Sequence, residues 1–199
     1  MSFLPESYQR LAVKFPPSPT WNVWVLDSQY KADAGADGRR RTYLGELTYQ
    51  AKYNGHRHSL NLLTDVIRHS VLQLRELPKH QDALSIVTCV AAVPCNPPKA
   101  QSLPHHAAAA AATALEVPDI SSYVVKPLKT EQAKNAVGPR SPNPGAYAVT
   151  RSLEGHTVLL IDDLYLTGAT LESVAANLRK VGAAHVVGLC ITKAHKGMN

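Results

Sequence analysis

Two adjacent carboxylates, Asp162 and Asp163, stand just ahead of the turn Thr167-Gly168-Ala169-Thr170. Gly168 has no Cβ and tolerates positive φ, so the backbone there can close tightly around an anion. Thr167 and Thr170 add hydroxyl donors to the N–H groups of such a nest. The paired carboxylates would repel a phosphate that faced them. They suit a partner that donates hydrogen bonds or carries positive charge, such as sugar hydroxyls or a hydrated magnesium ion. The segment is built for a ligand with a phosphate at one end and vicinal hydroxyls at the other. A ribose 5-phosphate fits.

The elements around these residues place them. Val158-Leu159-Leu160-Ile161 is an uninterrupted aliphatic run of the kind that forms a strand buried on both faces of a parallel sheet. From Thr170 onward, apolar residues at 171, 174, 175 and 178 have helical spacing. Thr167 or Thr170 is expected to cap that helix, and Glu172 puts a negative charge in its first turn. The loop therefore lies at the carboxyl end of a strand and at a helix N-terminus. Open α/β sheets bind ligands there, and free backbone N–H groups meet phosphates there. A lone Asp-Asp or Thr-Gly reads as a solvated turn. The aliphatic run, two acids and Thr-Gly-Ala-Thr in this order point to a site.

The rest of the chain bounds the answer. At 199 residues it is one ordinary domain with room for a small appendage, 45% hydrophobic and 18% charged. The net charge of +6 suits anionic ligands, nucleotides and nucleic acid included. Cys89, Cys95 and Cys190 have neither disulfide-framework nor metal-type spacing, which points to a reducing cytoplasm. The longer uncharged stretches are broken by Pro94 or by Pro104 and two histidines, so neither a signal peptide nor a membrane span is expected.

In chain order, residues 1–20 read as a Pro-rich extended arm, Trp21–Leu26 as a strand, and 31–41 as an exposed loop with an Arg39-Arg40-Arg41 run. Helices are expected over Tyr43–Tyr53, ended by Asn54-Gly55, and over about Ser59–Leu74. His56, His58 and His69 have no convincing acidic or thiol partner and read as surface or capping residues. Ile86–Val93 is a buried strand ending in a stiff loop, Pro94-Cys95-Asn96-Pro97-Pro98-Lys99, which reads either as a rigid turn or as a second anion site. A compact helix runs from His105 to Leu115 and a short strand from Ile120 to Lys126. Residues 127–145 have no hydrophobic period but hold Lys129, Lys134 and Arg140, a composition suited to a basic loop closing over an anion. After the 158–178 unit, Gly182 ends the helix and His185–Thr192 forms a last strand. The alternation of strands and helices gives an α/β fold with a parallel sheet.

The 158–171 stretch resembles the fingerprint of type I phosphoribosyltransferases, which bind 5-phosphoribosyl-1-pyrophosphate (PRPP); Leu166 stands where that family usually has a second threonine. Over most of residues 43–193 the order of segments looks like the ComF family, amidophosphoribosyltransferase-like proteins linked to DNA uptake. Ala51-Lys52-Tyr53-Asn54-Gly55 is similar to its Leu-Lys-Tyr-x-Gly segment, and Val93-Pro94 to its Pro-Val-Pro strand end. Thr130, Gln132, Arg140, Asn143 and Gly145-Ala146-Tyr147 match its pattern ahead of the PRPP strand. Leu103-Pro104-His105-His106 replaces its Arg-Gly-Phe-Asn, and the four-Cys zinc module common at its N-terminus is absent.

The resemblance implies a parallel-sheet phosphoribosyltransferase fold with helices on both faces and a small N-terminal hood. It divides the chain into an arm and strand region, 1–42, and a phosphoribosyltransferase-like domain, 43–199. It implies that Asp162 and Asp163 hold the ribose hydroxyls directly or through magnesium-bound water. Leu164, Tyr165, Leu166, Thr167, Gly168, Ala169 and Thr170 would wrap the 5-phosphate. Pro94, Cys95, Asn96 and Lys99 would face the pyrophosphate, with Lys129, Lys134 and Arg140 neutralising it as it leaves. The implied reaction transfers phosphoribosyl to a nucleophile with pyrophosphate release, and a homodimer is compatible with it. The competing reading is a PRPP or nucleotide sensor, or a nucleic-acid-handling accessory in DNA uptake or defence, without turnover.

Overall fold

The computed structural model describes residues 23–31, 40–76, 84–95, 102–127 and 144–194. Four parallel strands form the central sheet, in the order β1 (Val23–Ser28), β6 (His185–Lys193), β5 (Thr157–Tyr165), β2 (Cys89–Ala92). Helices cover both faces, as α/β architecture requires of a parallel sheet. On one face, α1 (Tyr43–Tyr53), α2 (Arg57–Glu76) and α3 (Leu103–Leu115) pack on Leu159, Ile161, Leu189 and Ile191. On the other, α4 (Ala169–Lys180) lays Leu171, Val174 and Leu178 against Val158, Leu160 and Val186. The alternation of consecutive β5 residues between the two clusters follows from the pleat. All four are fully buried, which is why the run is uninterrupted by polar residues.

Local chemistry sets the ends of the helices that reach the site. Thr42 caps α1: its hydroxyl accepts the Gly45 N–H at 3.0 Å and donates to the Ser28 carbonyl, tying the helix to β1. α1 ends at Asn54-Gly55, as its sequence predicts, with Gly55 at positive φ. α2 exceeds its expected span by two residues at each end and buries Leu63, Val66, Ile67, Val71 and Leu74 on one side. α3 is rich in alanine, and Ala108 and Ala111 are wholly buried, so its backbone lies close to the sheet and to α2.

Three expectations are corrected. The strand expected from Ile86 pairs only from Cys89; Ile86 lies in a turn and is 47% exposed. The strand expected over Ile120–Lys126 is a 3-10 turn, Ser121–Tyr123, followed by a two-residue strand, β3 (Val124–Val125). Asp119 explains the turn, because its carboxylate accepts the Ser121 N–H at 2.9 Å and the Ser121 hydroxyl at 2.5 Å. β3 pairs antiparallel with β4 (Ala148–Val149) in a small second sheet. Finally, neither threonine caps α4: Gly168 occupies that position with φ +80°, and Thr167 Oγ1 only accepts the Ala169 N–H at 3.4 Å.

Among the described residues no helix is long and apolar enough to cross a membrane. Trp21, residues 1–20, most of the expected 127–145 loop, and Asn96 to Lys99 lie outside the described residues.

Candidate functional site

A cleft of about 560 Å³ opens at the carboxyl ends of β2 and β5. Its floor is the run from Asp162 to Leu171. One wall is the end of α1, Ala51 to Tyr53; the facing wall is Val93, Pro94 and Cys95 with Ser102, Leu103 and Pro104. Lys126 and Tyr147, from the two ends of the expected basic loop, close the rim. The volume falls within the range of small-ligand sites.

The floor has the polarity expected of it. Asp162 and Asp163 are 9% and 7% exposed, so two acids sit at the end of an otherwise apolar strand. Strand alternation sends their side chains to opposite faces, Asp163 toward α1 and Asp162 toward α4. Both nonetheless line the cleft, because the strand ends there. The Asp163 N–H donates to Asp162 Oδ1 at 2.8 Å, and the Asp163 carbonyl accepts from Thr192 Oγ1 at 3.2 Å. Burial, then the neighbouring charge of Asp163, pushes the Asp162 carboxyl well above the usual carboxylate range.

Beyond the acids the chain makes its turn. Gly168 at φ +80° opens α4, whose first backbone bond runs from the Glu172 N–H to the Gly168 carbonyl at 2.9 Å. The N–H groups of the first helical turn therefore have no acceptor within the helix. A Cβ on Gly168 would come within 3.1 Å of the Tyr165 hydroxyl, so both the backbone angle and the neighbour call for glycine. Tyr165 itself is buried in the α4-side core, and burial raises its hydroxyl above the ordinary range. Ala169 is also buried, whereas Thr167 is exposed and Leu164, Leu166, Gly168 and Thr170 are half-buried along the cleft.

Of the residues singled out in the sequence, Asp162, Asp163, the 164–170 turn, Pro94 and Cys95 share this one cleft. Asn96, Lys99, Lys129, Lys134 and Arg140 lie outside the described residues. Sequence reasoning gave no role to Lys52. Its ammonium meets Asp163 Oδ2 at 2.5 Å, with the ring of Tyr53 5.7 Å away. Burial works against that ammonium, but the charge and hydrogen bond of Asp163, with smaller contributions from Tyr53 and Asp162, more than offset it and raise Lys52 above its usual value. Its signal was the Ala51-Lys52-Tyr53-Asn54-Gly55 segment, where lysine ends the helix that abuts the strand end. Lys126, 5.4 Å from the centre of the Tyr147 ring, was also missed.

The donor set fits magnesium of one kind. No group of three or more His, Cys, Asp or Glu that could hold a metal exists among the described residues, so an all-protein cage is not formed there. Two adjacent carboxylates do fit a hydrated magnesium ion whose remaining ligands are water and ligand oxygens.

A family model described as the phosphoribosyl transferase domain matches residues 98–197, just over half of the chain. Among solved structures, a purine phosphoribosyltransferase from Pyrococcus horikoshii is similar over 66% of this chain and 74% of its own, at 19% identity and a TM-score of 0.41. An adenine phosphoribosyl transferase from Trypanosoma brucei, in complex with AMP, pyrophosphate and ribose-5-phosphate, is similar over 71% of this chain and 66% of its own, at 14% identity and a TM-score of 0.39. No curated protein matches the chain.

Proposed function

Because the chain belongs to the phosphoribosyl transferase domain family, we propose that it binds PRPP with magnesium in the cleft above β5 and transfers the phosphoribosyl group to a nucleophile, releasing pyrophosphate. The observation that carries this reading is spatial. The run that carries the acidic pair and the glycine turn, the 94–95 loop, and the end of α1 come from separate segments yet line one cleft.

In this reading Asp162 and Asp163 hold the ribose hydroxyls, and magnesium, when bound, spreads charge on the pyrophosphate oxygens. The turn from Leu164 to Thr170 receives the 5-phosphate on the N–H groups at the start of α4, with Thr167 and Thr170 as side-chain donors. Pro94 and Cys95 begin the pyrophosphate side, which Asn96 and Lys99 continue, and Lys129, Lys134 and Arg140 neutralise the leaving group. Catalysis is electrostatic: positive groups meet charge as the C1–oxygen bond breaks.

Within the family we place the chain with the ComF-like proteins. The support is that the Lys-Tyr-x-Gly segment shared with them reaches the cleft, through Lys52. A second reading, PRPP binding without turnover, has its own support. Leu166 brings no hydroxyl to the turn, and the described wall opposite α1 is apolar or neutral at Pro94, Leu103 and Pro104.

A pyrophosphate-release assay separates the two. The purified protein with PRPP and magnesium is offered nucleobases, ammonia and single-stranded oligonucleotides. Release that depends on one acceptor supports transfer. Saturable PRPP binding with no release for any acceptor supports the sensor.

A further inference from the structure

We propose that Lys52 is a movable counter-ion, which pairs with Asp163 and passes to the pyrophosphate of the ligand when Asp163 engages the ribose. The proposal deepens the phosphoribosyl reading and rests on it. Its starting point is a conflict. Asp163 is one of two carboxylates in the cleft, and the Lys52 ammonium already holds it, Nζ to Oδ2, at 2.5 Å. A ribose hydroxyl or magnesium-bound water that takes Asp163 at Oδ2 displaces that ammonium.

The side chain is built to move. Lys52 lies in the last turn of α1 and keeps 37% of its side chain exposed, whereas that of Asp163 is 9% exposed. A lysine is a compact charge on a flexible four-carbon stem, so the ammonium can swing while the helix stays in place. Once displaced it cannot remain without a partner inside the cleft, because an unpaired, half-desolvated ammonium is costly. Beside Asp162, the ligand is then the anion within its reach.

The pyrophosphate gives this cation a partner of opposite charge. Among the described residues lining the cleft only Lys52 and Lys126 carry a full positive charge, and Lys126 sits at the rim by the Tyr147 ring. The facing wall offers Pro94, Cys95, Ser102, Leu103 and Pro104. His105, just behind it, shares a hydrogen bond with the Ser102 hydroxyl at 2.6 Å, and burial holds its ring below the usual histidine range. These described wall residues bring little charge of their own. In the transfer step the C1–oxygen bond breaks with its electron pair going to the pyrophosphate oxygen, and the acceptor's lone pair forms the new bond to C1. The acceptor's proton leaves to solvent; Lys52 keeps its protons throughout and contributes charge alone.

Three ligands distinguish this role from a structural one. Binding of PRPP with magnesium, inorganic pyrophosphate with magnesium, and ribose 5-phosphate is measured by calorimetry for the wild type, Lys52→Gln and Lys52→Arg. The expected result for Lys52→Gln is a loss of about tenfold or more for PRPP and pyrophosphate, the scale of one charge-assisted hydrogen bond. Ribose 5-phosphate should bind Lys52→Gln as well as or better than wild type, because nothing has to be displaced from Asp163. Lys52→Arg should restore most of the pyrophosphate affinity. Equal losses for all three ligands in Lys52→Gln, or unchanged PRPP affinity, would overturn the proposal while leaving the phosphoribosyl reading in place. A wild-type protein that binds neither PRPP nor ribose 5-phosphate would overturn both. Circular dichroism of each variant confirms that the comparison is made on folded protein.

Discussion

Substituting Gly168 by alanine isolates how much of the site's shape one residue holds, because the chain carries its own control. Gly168 and Gly155 have similar positive φ, +80° and +73°, at opposite ends of β5. Around Gly155 a new Cβ meets nothing within 4 Å; at Gly168 it meets the Tyr165 hydroxyl at 3.1 Å and Cε2 at 3.2 Å. Left-handed backbone costs an L-residue about 1–2 kcal/mol. The stiffer unfolded chain returns about 0.4–1 kcal/mol. Gly155→Ala should therefore lose about 1 kcal/mol. Gly168→Ala should lose that plus the work of shifting a buried ring, and mild overpacking adds about 1–3 kcal/mol. With about 2–4 °C of Tm per kcal/mol in a domain of this size, Gly155→Ala should melt ~3 °C low and Gly168→Ala ~6 °C low or more. Thermal unfolding by circular dichroism, checked by urea titration, reads both. Tyr165→Phe removes the closest contact, so Gly168→Ala should be less damaging in that background. Equal losses at the two glycines, or no rescue by Tyr165→Phe, would refute the account of the turn.

Two further predictions concern the charges and thiols around the floor. Burial and then Asp163 raise the folded-state carboxyl of Asp162 above its unfolded value, about 3.9. Its favourable contribution is complete below the unfolded value and is lost as pH rises through the raised one, so Asp162→Asn should melt higher than wild type at neutral pH and converge with it in acid. Thermal scans across that range check it, and a variant less stable than wild type at neutral pH would contradict it. Cys190 and Cys89 are buried, and burial is the first cause that raises both thiols, whereas Cys95 is partly exposed in the cleft wall. Native protein should react with a thiol reagent at Cys95 and release the other two only in denaturant, as peptide mapping after alkylation would read; rapid native labelling of Cys190 would be the contrary result.

How far the sequence carried depended on whether a feature is local. The β5 run, Gly168 and the α4 periodicity were legible because burial on both faces and positive φ leave marks on adjacent residues. Asn54-Gly55 marked the end of α1 for the same reason. Ile86 misled because a β-branched residue next to a strand looks like part of it, while pairing starts only where Cys89 meets Val158. The turn at Ser121 was hidden by the β-branched and aromatic residues around it, Ile120 and Tyr123 to Val125, although Asp119 two residues earlier was its signal. Lys52 was invisible as a site residue because its partner comes from a strand far along the chain, and only the tertiary packing of α1 on β1 and β6, next to β5, brings the two together. The α4 cap was misjudged between two plausible threonines, because the turn needs a backbone angle more than a hydroxyl.

The most direct test of the central claim is calorimetry of PRPP with and without magnesium, on the wild type and on the protein carrying Asp162→Ala and Asp163→Ala together. The account predicts saturable, magnesium-dependent binding at one site per chain, abolished in the double variant with the fold intact. No heat from wild type, or undiminished binding once both carboxylates are gone, would contradict it.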